Sequence, residues 1–379
     1  MNVPKIRFKE FSDEWCETTL GETTTFKQGI QVDVDKQFSK PFDNSVRFIR
    51  IVDYTQNTKD IRYISKPANA NYVDEHDVVL VRYGATAGFV GHGIKGVIAN
   101  NMFTVTPNSS INKDFLYTIL KQDKIYNKLN SSNGSSAMPA LNFGSVSILK
   151  FSYPSIDEQN KLTNLINLLD KKIELQTKKI EDLKLFKSYT KNKLFQNGNQ
   201  VIKLGKILIK WNKKNKDGSI KYVESISNKY GFISQADQFE DRNVASKDLK
   251  NYYVIEKNVF GYNPSRLNVG SLALKDNNNI SVVSPLYECF TTNQNNKFML
   301  EWFDSIYFKK GTMSKFEGGV RNTLNFTNLC EIEINLPSLE LQNKYANYLS
   351  TFDKKILLEE KKLTELRNLK KGLMQSMFV

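Results

Sequence analysis

The sequence is poor in the residues on which several protein classes depend. Its 379 residues include only three cysteines, two histidines and nine prolines. Cys16, Cys289 and Cys330 are odd in number and far apart, without the short spacing of a zinc site, so we expect a reducing compartment and no disulfides. His76 and His92 are too few for most histidine-based metal or triad chemistry. We therefore expect neither a metal site nor a catalytic centre.

Long apolar runs are missing as well. No stretch approaches the 18 or more uninterrupted apolar residues that predict a transmembrane helix. The first fifteen residues lack the apolar core of a secretory signal, so we expect a cytoplasmic protein. Hydrophobic residues still make up 40% of the chain and aromatic residues 12%, which is enough for folded cores. The length favours two or three domains.

Acidic residues are outnumbered by basic ones. The 54 lysines and arginines against 40 aspartates and glutamates give a formal net charge of +14. Residues 1–196 carry 27 basic and 21 acidic side chains, and residues 197–379 carry 27 and 19, so the excess of +6 and +8 is spread over both halves. Such a balance indicates a polyanionic partner, either nucleic acid or an anionic membrane surface.

An internal repeat divides the chain in two. Residues 141–196 match residues 324–379 without gaps at 19 of 56 positions, at an offset of 183. The shared motifs are Leu-Asn-Phe, Pro-Ser, Gln-Asn-Lys and Asp-Lys-Lys-Ile. Leu-Gly-Glu at residues 20–22 is echoed more weakly by Leu-Gly-Lys at residues 204–206. Each half is therefore a variable globular part followed by a strongly repeated tail.

The two tails have the spacing of coiled-coil helices. Positions alternately four and three residues apart are mostly apolar over about five heptads, and acidic residues follow a Pro-Ser pair at each start. Both series turn polar at matching places, Gln176 with Glu359 and Lys187 with Lys370, which favours two helices that face each other. An ordinary pair of core helices is the alternative. The predicted seam consists of Leu162, Leu169, Ile173, Ile180, Leu183, Phe352, Ile356, Leu363 and Leu366.

The remaining segments predict an α+β fold. Short β-rich runs separated by polar turns occupy residues 1–153 and 197–336. The repeated helices occupy residues 154–196 and 337–379. We therefore predict two similar globular domains joined by a pair of long helices.

Three segments resemble enzyme motifs, but each lacks residues that the motif requires. Residues 88–95 resemble a phosphate loop, but Ile94 stands where that loop needs lysine. Asn-Pro-Ser at residues 263–265 lacks the second proline and the aromatic residue of an amino-methyltransferase motif. Glu-Lys-Lys at residues 360–362 lies on a predicted helix without the upstream acids of a nuclease. These failures favour a binding protein over a catalyst.

Basic and aromatic side chains on predicted strands and turns are the candidate nucleic-acid contacts. The arginine fork can contact guanine O6 and N7 together, whereas lysine mainly attracts phosphate. Two unlike lobes on a helical spacer roughly 55 Å long would suit a DNA target with two different half-sites. The candidates are Arg47, Arg50, Arg82 and Tyr83 in the first part, and Lys213, Lys214, Tyr262, Arg266, Lys315 and Arg321 in the second.

In the order and duplication of these motifs, the sequence resembles the specificity subunits of Type I restriction–modification systems. Pro-Lys-Ile-Arg-Phe at residues 4–8 and Trp15 add to the resemblance, which covers essentially the whole chain. The resemblance implies that each globular part is a target-recognition domain for one half of an asymmetric, bipartite double-stranded DNA target. It also implies that the tails form an antiparallel pair that docks two modification (methyltransferase) subunits.

The same resemblance assigns the chemistry to partner subunits. The modification subunits would methylate adenine N6 with S-adenosylmethionine, and restriction subunits would cleave DNA with ATP and Mg²⁺. The chain itself is then expected to be non-catalytic and to bind no cofactor. Residues 134–143 and 318–326 resemble the loop that closes each recognition domain, although Met138 stands where the second copy has Arg321.

Two other interpretations remain open at this stage. One is a stand-alone DNA-modifying enzyme with a degenerate site, which would bind S-adenosylmethionine or cleave DNA with a metal ion. The other is a coiled-coil scaffold without a nucleic-acid role, whose charge only aids solubility. Salt-dependent DNA binding would separate the scaffold from a DNA-binding protein.

Overall fold

A computed structural model describes residues 3–56, 58–131, 140–228, 230–235, 248–267, 270–313, 315 and 323–379. The chain divides into two compact units. Unit 1 comprises Met1–Gln176 and Lys362–Val379, and unit 2 comprises Thr177–Lys361. No helix of the described residues is long and apolar enough to cross a membrane.

Unit 1 contains two four-stranded sheets and a two-stranded ribbon. Its strands are β1 (Cys16–Thr19), β2 (Thr24–Gln28), β3 (Ser45–Ile49), β4 (Arg62–Ser65), β5 (Tyr72–Val73), β6 (Val78–Val81), β7 (Val90–Gly91), β8 (Gly96–Ile98), β9 (Met102–Pro107) and β10 (Lys150–Tyr153). Its helices are α1 (Leu20–Thr23), α2 (Ile51–Thr55), α3 (Lys113–Leu120), α4 (Asp123–Ser131), α5 (Phe143–Ser147) and the first part of α6 (Ile156–Leu194), with a 3₁₀ turn at Val34–Lys36.

The first sheet of unit 1 is antiparallel and has the order β2-β9-β6-β7. The second has the order β4-β3-β8-β5, with β3 and β8 parallel. Strand β6 is buried on both faces, because Val78 and Leu80 pack into one core cluster while Val79 and Val81 pack into another. Its uninterrupted apolar sequence follows from this position, since successive strand residues point to opposite faces.

Unit 2 repeats the framework of unit 1, and its second sheet is less continuous. Its strands are β11 (Gln200–Lys203), β12 (Leu208–Lys210), β13 (Glu224–Ser227), β14 (Gly231–Ser234), β15 (Tyr253–Ile255), β16 (Phe260–Tyr262), β17 (Leu272–Leu274), β18 (Ser281–Val283), β19 (Glu288–Thr292) and β20 (Glu333–Leu336). Its helices are the last part of α6, α7 (Asn296–Phe303), α8 (Ile306–Met313), α9 (Phe326–Cys330) and the first part of α10 (Leu339–Ser376), with a 3₁₀ turn at Leu204–Lys206.

The sheet order β12-β19-β16-β17 in unit 2 matches β2-β9-β6-β7 in unit 1. Each unit also has one ribbon that pairs its first strand with the strand before a long helix, β1 with β10 and β11 with β20. In unit 2, the second sheet consists of the pairs β13-β14 and β15-β18, which a parallel bridge between Val223, just before β13, and Val282 of β18 links in the order β14-β13-β18-β15. This order corresponds to β4-β3-β8-β5 in unit 1, where β3 and β8 are also parallel. The fold is therefore α+β, with two similar domains joined by two long helices, as the sequence predicts.

The repeated Leu-Gly motif packs against the turn that precedes the second strand of each ribbon, β10 in unit 1 and β20 in unit 2. The amide of Leu20 donates to the carbonyl of Leu149 at 3.0 Å, and the amide of Leu204 donates to Ile332 at 2.8 Å. A Cβ atom on Gly21 would lie 2.8 Å from the Cβ of Ser147, so this close approach requires glycine.

The repeated Gln-Asn motif ties each long helix to the helix that follows the framework sheet. Gln159 is fully buried. Its Oε1 accepts from the Asn112 amide at 2.8 Å, and its Nε2 donates to the Pro154 carbonyl at 2.9 Å. In unit 2, Gln342 accepts from the Asn295 amide at 3.1 Å and donates to the Pro337 carbonyl at 2.9 Å. The sequence repeat is thus preserved as a hydrogen-bond network.

The end of each long helix completes a hydrophobic core. In unit 1, Phe378 packs against Trp15 and Phe115, with ring centres 6.3 and 5.9 Å apart. In unit 2, Phe195 packs edge-on against Phe298 at 5.3 Å. The repeated phenylalanine at the end of each tail is therefore a core residue.

Helices α6 and α10 are antiparallel. In unit 2, Lys179 Nζ lies 3.0 Å from Glu359 and Lys187 Nζ lies 2.7 Å from Asp353. Moving forward along α6 therefore means moving backward along α10. In unit 1, Lys370 Nζ lies 2.6 Å from Asp170 Oδ2.

The predicted seam positions are buried or half-buried. Leu162, Leu169, Ile180, Ile356 and Leu363 are buried. The half-buried members are Ile173, Leu183, Phe352 and Leu366.

Two of the matching polar positions of the seam have a polar partner on the facing helix, as the sequence suggests. Lys187 and Lys370 each bind the aspartate of an Asp-Lys-Lys-Ile motif. Burial lowers the pKa of Lys187, but hydrogen bonds to Asp353 and Glu301 outweigh it and raise the pKa overall. Lys187 therefore stays charged at neutral pH, and the ion pairs of both lysines help to fix the helix register.

Candidate nucleic-acid interface

In unit 1, the loop after strand β6 holds an arginine between two aromatic rings. The guanidinium of Arg82 lies 4.9 Å from the ring centre of Tyr83 and 5.3 Å from that of Phe143. Its Nη1 donates to Gln28 Oε1 at 2.7 Å, and its Nε donates to the Leu141 carbonyl at 3.2 Å. These contacts fix the direction of the side chain before any ligand arrives.

The same loop offers both chemistries that nucleic-acid binding uses. An arginine has five N–H donors, and the two bonds described engage two of those of Arg82. Tyr83 is 38% exposed beside it. A positioned guanidinium next to an exposed aromatic ring can donate to a base edge or phosphate and pack against a sugar or base. The structure therefore brings these two sequence-predicted residues together.

Unit 2 places a cation over the equivalent phenylalanine from a different strand. Phe326 occupies the position of Phe143 in the repeat, and Lys210 Nζ lies 5.4 Å from its ring centre. Lys210 also pairs with Glu288 at 3.1 Å. Sequence reasoning missed Lys210. The available signal was the repeated Leu-Gly motif, which aligns Lys210 with Phe26, a residue that stacks on Phe143 at 5.6 Å.

Arg266 lies on the unit 2 loop that corresponds to the Arg82 loop. The Arg82 carbonyl accepts from the Leu141 amide at 2.9 Å, and the Pro264 carbonyl accepts from the Leu324 amide at 3.1 Å, so the two loops meet the same repeated motif. Arg266 is exposed. The loop after the central strand, which is β6 in unit 1 and β16 in unit 2, thus carries an arginine in both units. The local surroundings of the two arginines differ.

Arg47 and Arg50 are engaged in ion pairs. Arg47 lies 3.5 Å from Asp53, whose side chain is fully buried, and Arg50 lies 3.3 Å from the same carboxylate. Arg50 also lies 3.2 Å from Asp60. These ion pairs connect strand β3 to helix α2. A DNA contact by Arg47 or Arg50 would have to use guanidinium N–H groups that do not bind Asp53 or Asp60.

The remaining candidates in unit 2 are dispersed. Lys213 is exposed and pairs with Glu256, while Lys214 is exposed at an isolated bridge to Tyr253. Lys315 is half-buried, and its carbonyl accepts from Asn328 Nδ2 at 3.3 Å. Arg321 lies outside the described residues.

Tyr262 requires a correction. The sequence placed it among the DNA contacts, but its side chain is completely buried in the core of unit 2. Its ring centre lies 6.2 Å from that of Phe290. Burial also raises the pKa of its hydroxyl, which stays neutral. Tyr262 therefore supports the central strand and presents no surface to a ligand.

Comparison with known proteins agrees with this duplicated arrangement. The model of the family described as the Type I restriction modification DNA specificity domain matches residues 12–185 and again residues 195–368. The chain belongs to this family. Members are the non-catalytic, sequence-recognising subunits of restriction–modification complexes, which act on DNA together with other subunits. The resemblance and the function predicted from the sequence are thereby confirmed.

One curated relative and two solved structures are similar to this chain over almost its whole length. The relative is the specificity subunit of the Type I restriction enzyme MjaVIII from Methanocaldococcus jannaschii, 23% identical over 98% of this chain and 94% of its own. The S subunit of a Type I system from M. genitalium matches with a TM-score of 0.60 and 14% identity, over 100% of this chain and 99% of that one.

The second solved structure is described as a structural basis for complex assembly and conformational transition of the Type I R-M system. It matches with a TM-score of 0.59 and 14% identity, over 96% of this chain and 97% of that chain. At this identity the two structural matches show the fold, and the family rests on the sequence match.

Proposed function

We propose that the chain reads an asymmetric, bipartite double-stranded DNA target, with one half-site for each unit. The observation that carries this proposal is the repeated framework with unlike loops. The loop after the central strand presents Arg82 and Tyr83 in unit 1 and Arg266 in unit 2. Two equivalent frameworks that present different side chains are suited to two different half-sites. Basic side chains elsewhere on each unit supply phosphate attraction.

We also propose that two modification (methyltransferase) subunits bind the long helices. Leu175 and Leu358 are equivalent in the repeat and are 59% and 53% exposed. Phe186 and Leu369 form a second equivalent pair, 53% and 50% exposed. Large apolar side chains exposed at repeated positions are typical of protein interfaces. Their occurrence twice supports two copies of one partner.

The partners then supply the chemistry that the family's targeting subunit leaves to them. We expect the modification subunits to methylate adenine N6 with S-adenosylmethionine, and restriction subunits to join with ATP and Mg²⁺. Because the target is cellular or invading DNA, we propose that the chain works in the cytoplasm.

The decisive experiment reconstitutes the chain with its modification subunits and maps methylated adenines on a random DNA library. We expect methylation only within a split target whose two halves differ and are separated by a stretch of unspecified sequence. A continuous or palindromic target would contradict the proposal. The chain alone should bind the mapped target with an affinity that falls steeply with salt, whereas salt-independent binding would contradict phosphate contacts.

A further inference from the structure

The only two histidines of the chain converge on one carboxylate in unit 1. His76 Nδ1 and His92 Nε2 each lie 3.1 Å from Asp114 Oδ1. One potential ligand atom from each of the three residues lies within 4.8 Å of the other two. The residues come from the turn between β5 and β6, the turn after β7 and the first turn of α3.

The backbone around these residues is fixed by local hydrogen bonds. The His76 amide donates to Asp74 Oδ1 at 2.8 Å, and the Asp114 amide donates to the capping Asn112 Oδ1 at 2.8 Å. The Gly93 amide donates to the Glu75 carbonyl at 3.0 Å and so joins the two histidine-bearing turns. The cluster therefore forms on a framework that holds it in place.

Neighbouring side chains fix the orientation of one imidazole and pair the nearest lysine with carboxylates. The ring of His92 stacks on Tyr117 at 4.3 Å and 19°, which fixes the imidazole plane. Lys113, next to Asp114 in the sequence, forms ion pairs with Asp77 at 2.6 Å and Asp74 at 3.2 Å. Its positive charge is therefore compensated by two carboxylates of the turn that carries His76.

We propose that His76, His92 and Asp114 form a binding site for a first-row transition-metal ion such as Zn²⁺. Two imidazole nitrogens and one carboxylate are a ligand set that such ions prefer. Ligand atoms bound at 2.0–2.1 Å in a tetrahedral site stand about 3.3 Å apart. The two separations from Asp114 Oδ1 are close to this at 3.1 Å, and the ligand nitrogens of the two histidines lie within 4.8 Å of each other. The His76 side chain is 67% exposed, so a fourth ligand can come from water.

The repeat shows that the fold does not require this cluster. The capping residue Asn112 and the core residue Phe115 are both preserved in unit 2, as Asn295 and Phe298. Between them, Asp114 is replaced by Lys297. The framework thus forms without the carboxylate. The cluster is an addition to unit 1, where a metal ion would clamp the turn before β6 and the turn after β7, which meet at the open end of this hairpin, onto α3.

The test uses the full-length chain, prepared without a polyhistidine tag and stripped with a chelator. Zn²⁺ alone is titrated in competition with a chromophoric chelator, and Co²⁺ is used to record a visible spectrum. We expect one tightly bound ion per chain, a Co²⁺ spectrum typical of four-coordinate nitrogen and oxygen ligands, and a rise in Tm on adding Zn²⁺.

Variants assign the ligands. Loss of an outer-shell partner typically weakens metal binding 10–100-fold, so His76→Gln, His92→Ala and Asp114→Asn should each weaken Zn²⁺ binding by at least about 100-fold. Cys16→Ser removes the exposed thiol as a rival ligand and should leave binding unchanged. His76→Gln alters the most exposed of the three residues and keeps the test valid if another variant fails to fold. Absence of stoichiometric binding, or unchanged binding in His76→Gln, would show a hydrogen-bonded cluster only and overturn the proposal.

Discussion

Units 1 and 2 agree where the sequence repeats and differ where it does not. Both have the same four-stranded framework sheet, the same ribbon and the same buried glutamine network. They differ in the second sheet, which is continuous in unit 1, whereas in the described residues of unit 2 it consists of two strand pairs linked by the bridge between Val223 and Val282. The repeated residues therefore maintain a scaffold, and the variable residues are free to change what the scaffold presents.

The units also bury different polar groups. In unit 2, the side chain of Lys275 is fully buried and binds the carboxylate of Glu224, which also accepts from Ser281. Lys275 Nζ lies 5.7 Å from the ring centre of Phe232. In unit 1, the distinctive polar group is the His76–His92–Asp114 cluster, which is partly exposed. Both variable regions thus contain a buried, ion-paired carboxylate, Glu224 in unit 2 and Asp53 in unit 1, and unit 1 adds the partly exposed histidine cluster.

The largest expected effect comes from breaking the buried pair of unit 2. Lys275→Met leaves Glu224 buried without its cation and should lower the free energy of unfolding by roughly 3–5 kcal/mol. The double variant Lys275→Met/Glu224→Gln should lose less, because no uncompensated charge remains. Denaturant unfolding measures both, with the exposed Lys257→Met as control. A single variant as stable as the control would contradict the structural role of the pair.

A smaller effect tests whether the two glutamine networks are equivalent. Gln159→Ala and Gln342→Ala each leave a buried amide and carbonyl without a partner, at a cost of about 2 kcal/mol. Because the networks repeat, the two losses should agree within about 0.5 kcal/mol. Chemical denaturation of each variant, with exposed Gln200→Ala as control, provides the comparison. A large loss in one variant and none in the other would show that the repeat is not preserved energetically.

The DNA contacts sharpen the comparison, because each should affect one half-site. A bidentate arginine contact contributes about 1–3 kcal/mol of base discrimination, so Arg82→Lys should relax the preference in one half of the mapped target. Arg266→Lys should relax the other half. Methylation mapping of both variants measures the change, and Arg62→Lys, at a site paired with Asp60, is the control. Relaxation of both halves by one variant would argue against separate reading.

The smallest effect separates the two seam lysines. Asp170→Asn removes the carboxylate partner of Lys370, and Asp353→Asn removes one of two carboxylates that bind Lys187, the other being Glu301. Exposed ion pairs contribute about 0.2–1 kcal/mol, and Asp353→Asn should be the milder change. Melting curves at low and high salt measure the difference, which should shrink as salt screens the pairs. Asp353→Asn being more damaging would reverse the assignment.

The helices and the repeat could be predicted from the sequence because their signals are local and long. About five heptads of regular spacing define each helix, and the duplicated motifs mark its contacts. The framework strands were recognisable only as short apolar runs, since strand pairing joins distant residues. The difference between the second sheets had no local signal.

The candidate site was predictable only in part. Arg82 and Tyr83 stood beside a central strand, and the structure places them together. Tyr262 was misjudged because its strand is buried on both faces. Tyr262 is buried on one face, and Gly261, whose Cβ position faces Ile226 and Phe232, is buried on the other. A hydroxyl near basic residues carries no sequence signal that distinguishes surface from core.

The histidine cluster has no local signal in the sequence. Residues 76, 92 and 114 meet because a strand pair and a helix bring three turns together, and the number of histidines does not reveal such a meeting. Lys210 was missed for the same reason, since its contact with Phe326 joins residues 116 positions apart. Tertiary structure, and not local pattern, created both features.

The assembly of unit 1 from both ends of the chain has a consequence for protein synthesis. Its core contains Phe378, which packs on Trp15 and Phe115, whereas unit 2 is the continuous segment Thr177–Lys361. At 5–20 residues per second, the ribosome needs roughly 10–40 s after Gln176 to supply the closing residues. The unit that is translated first is therefore the last to complete its core, and during that interval its apolar surface is open to chaperones and proteases.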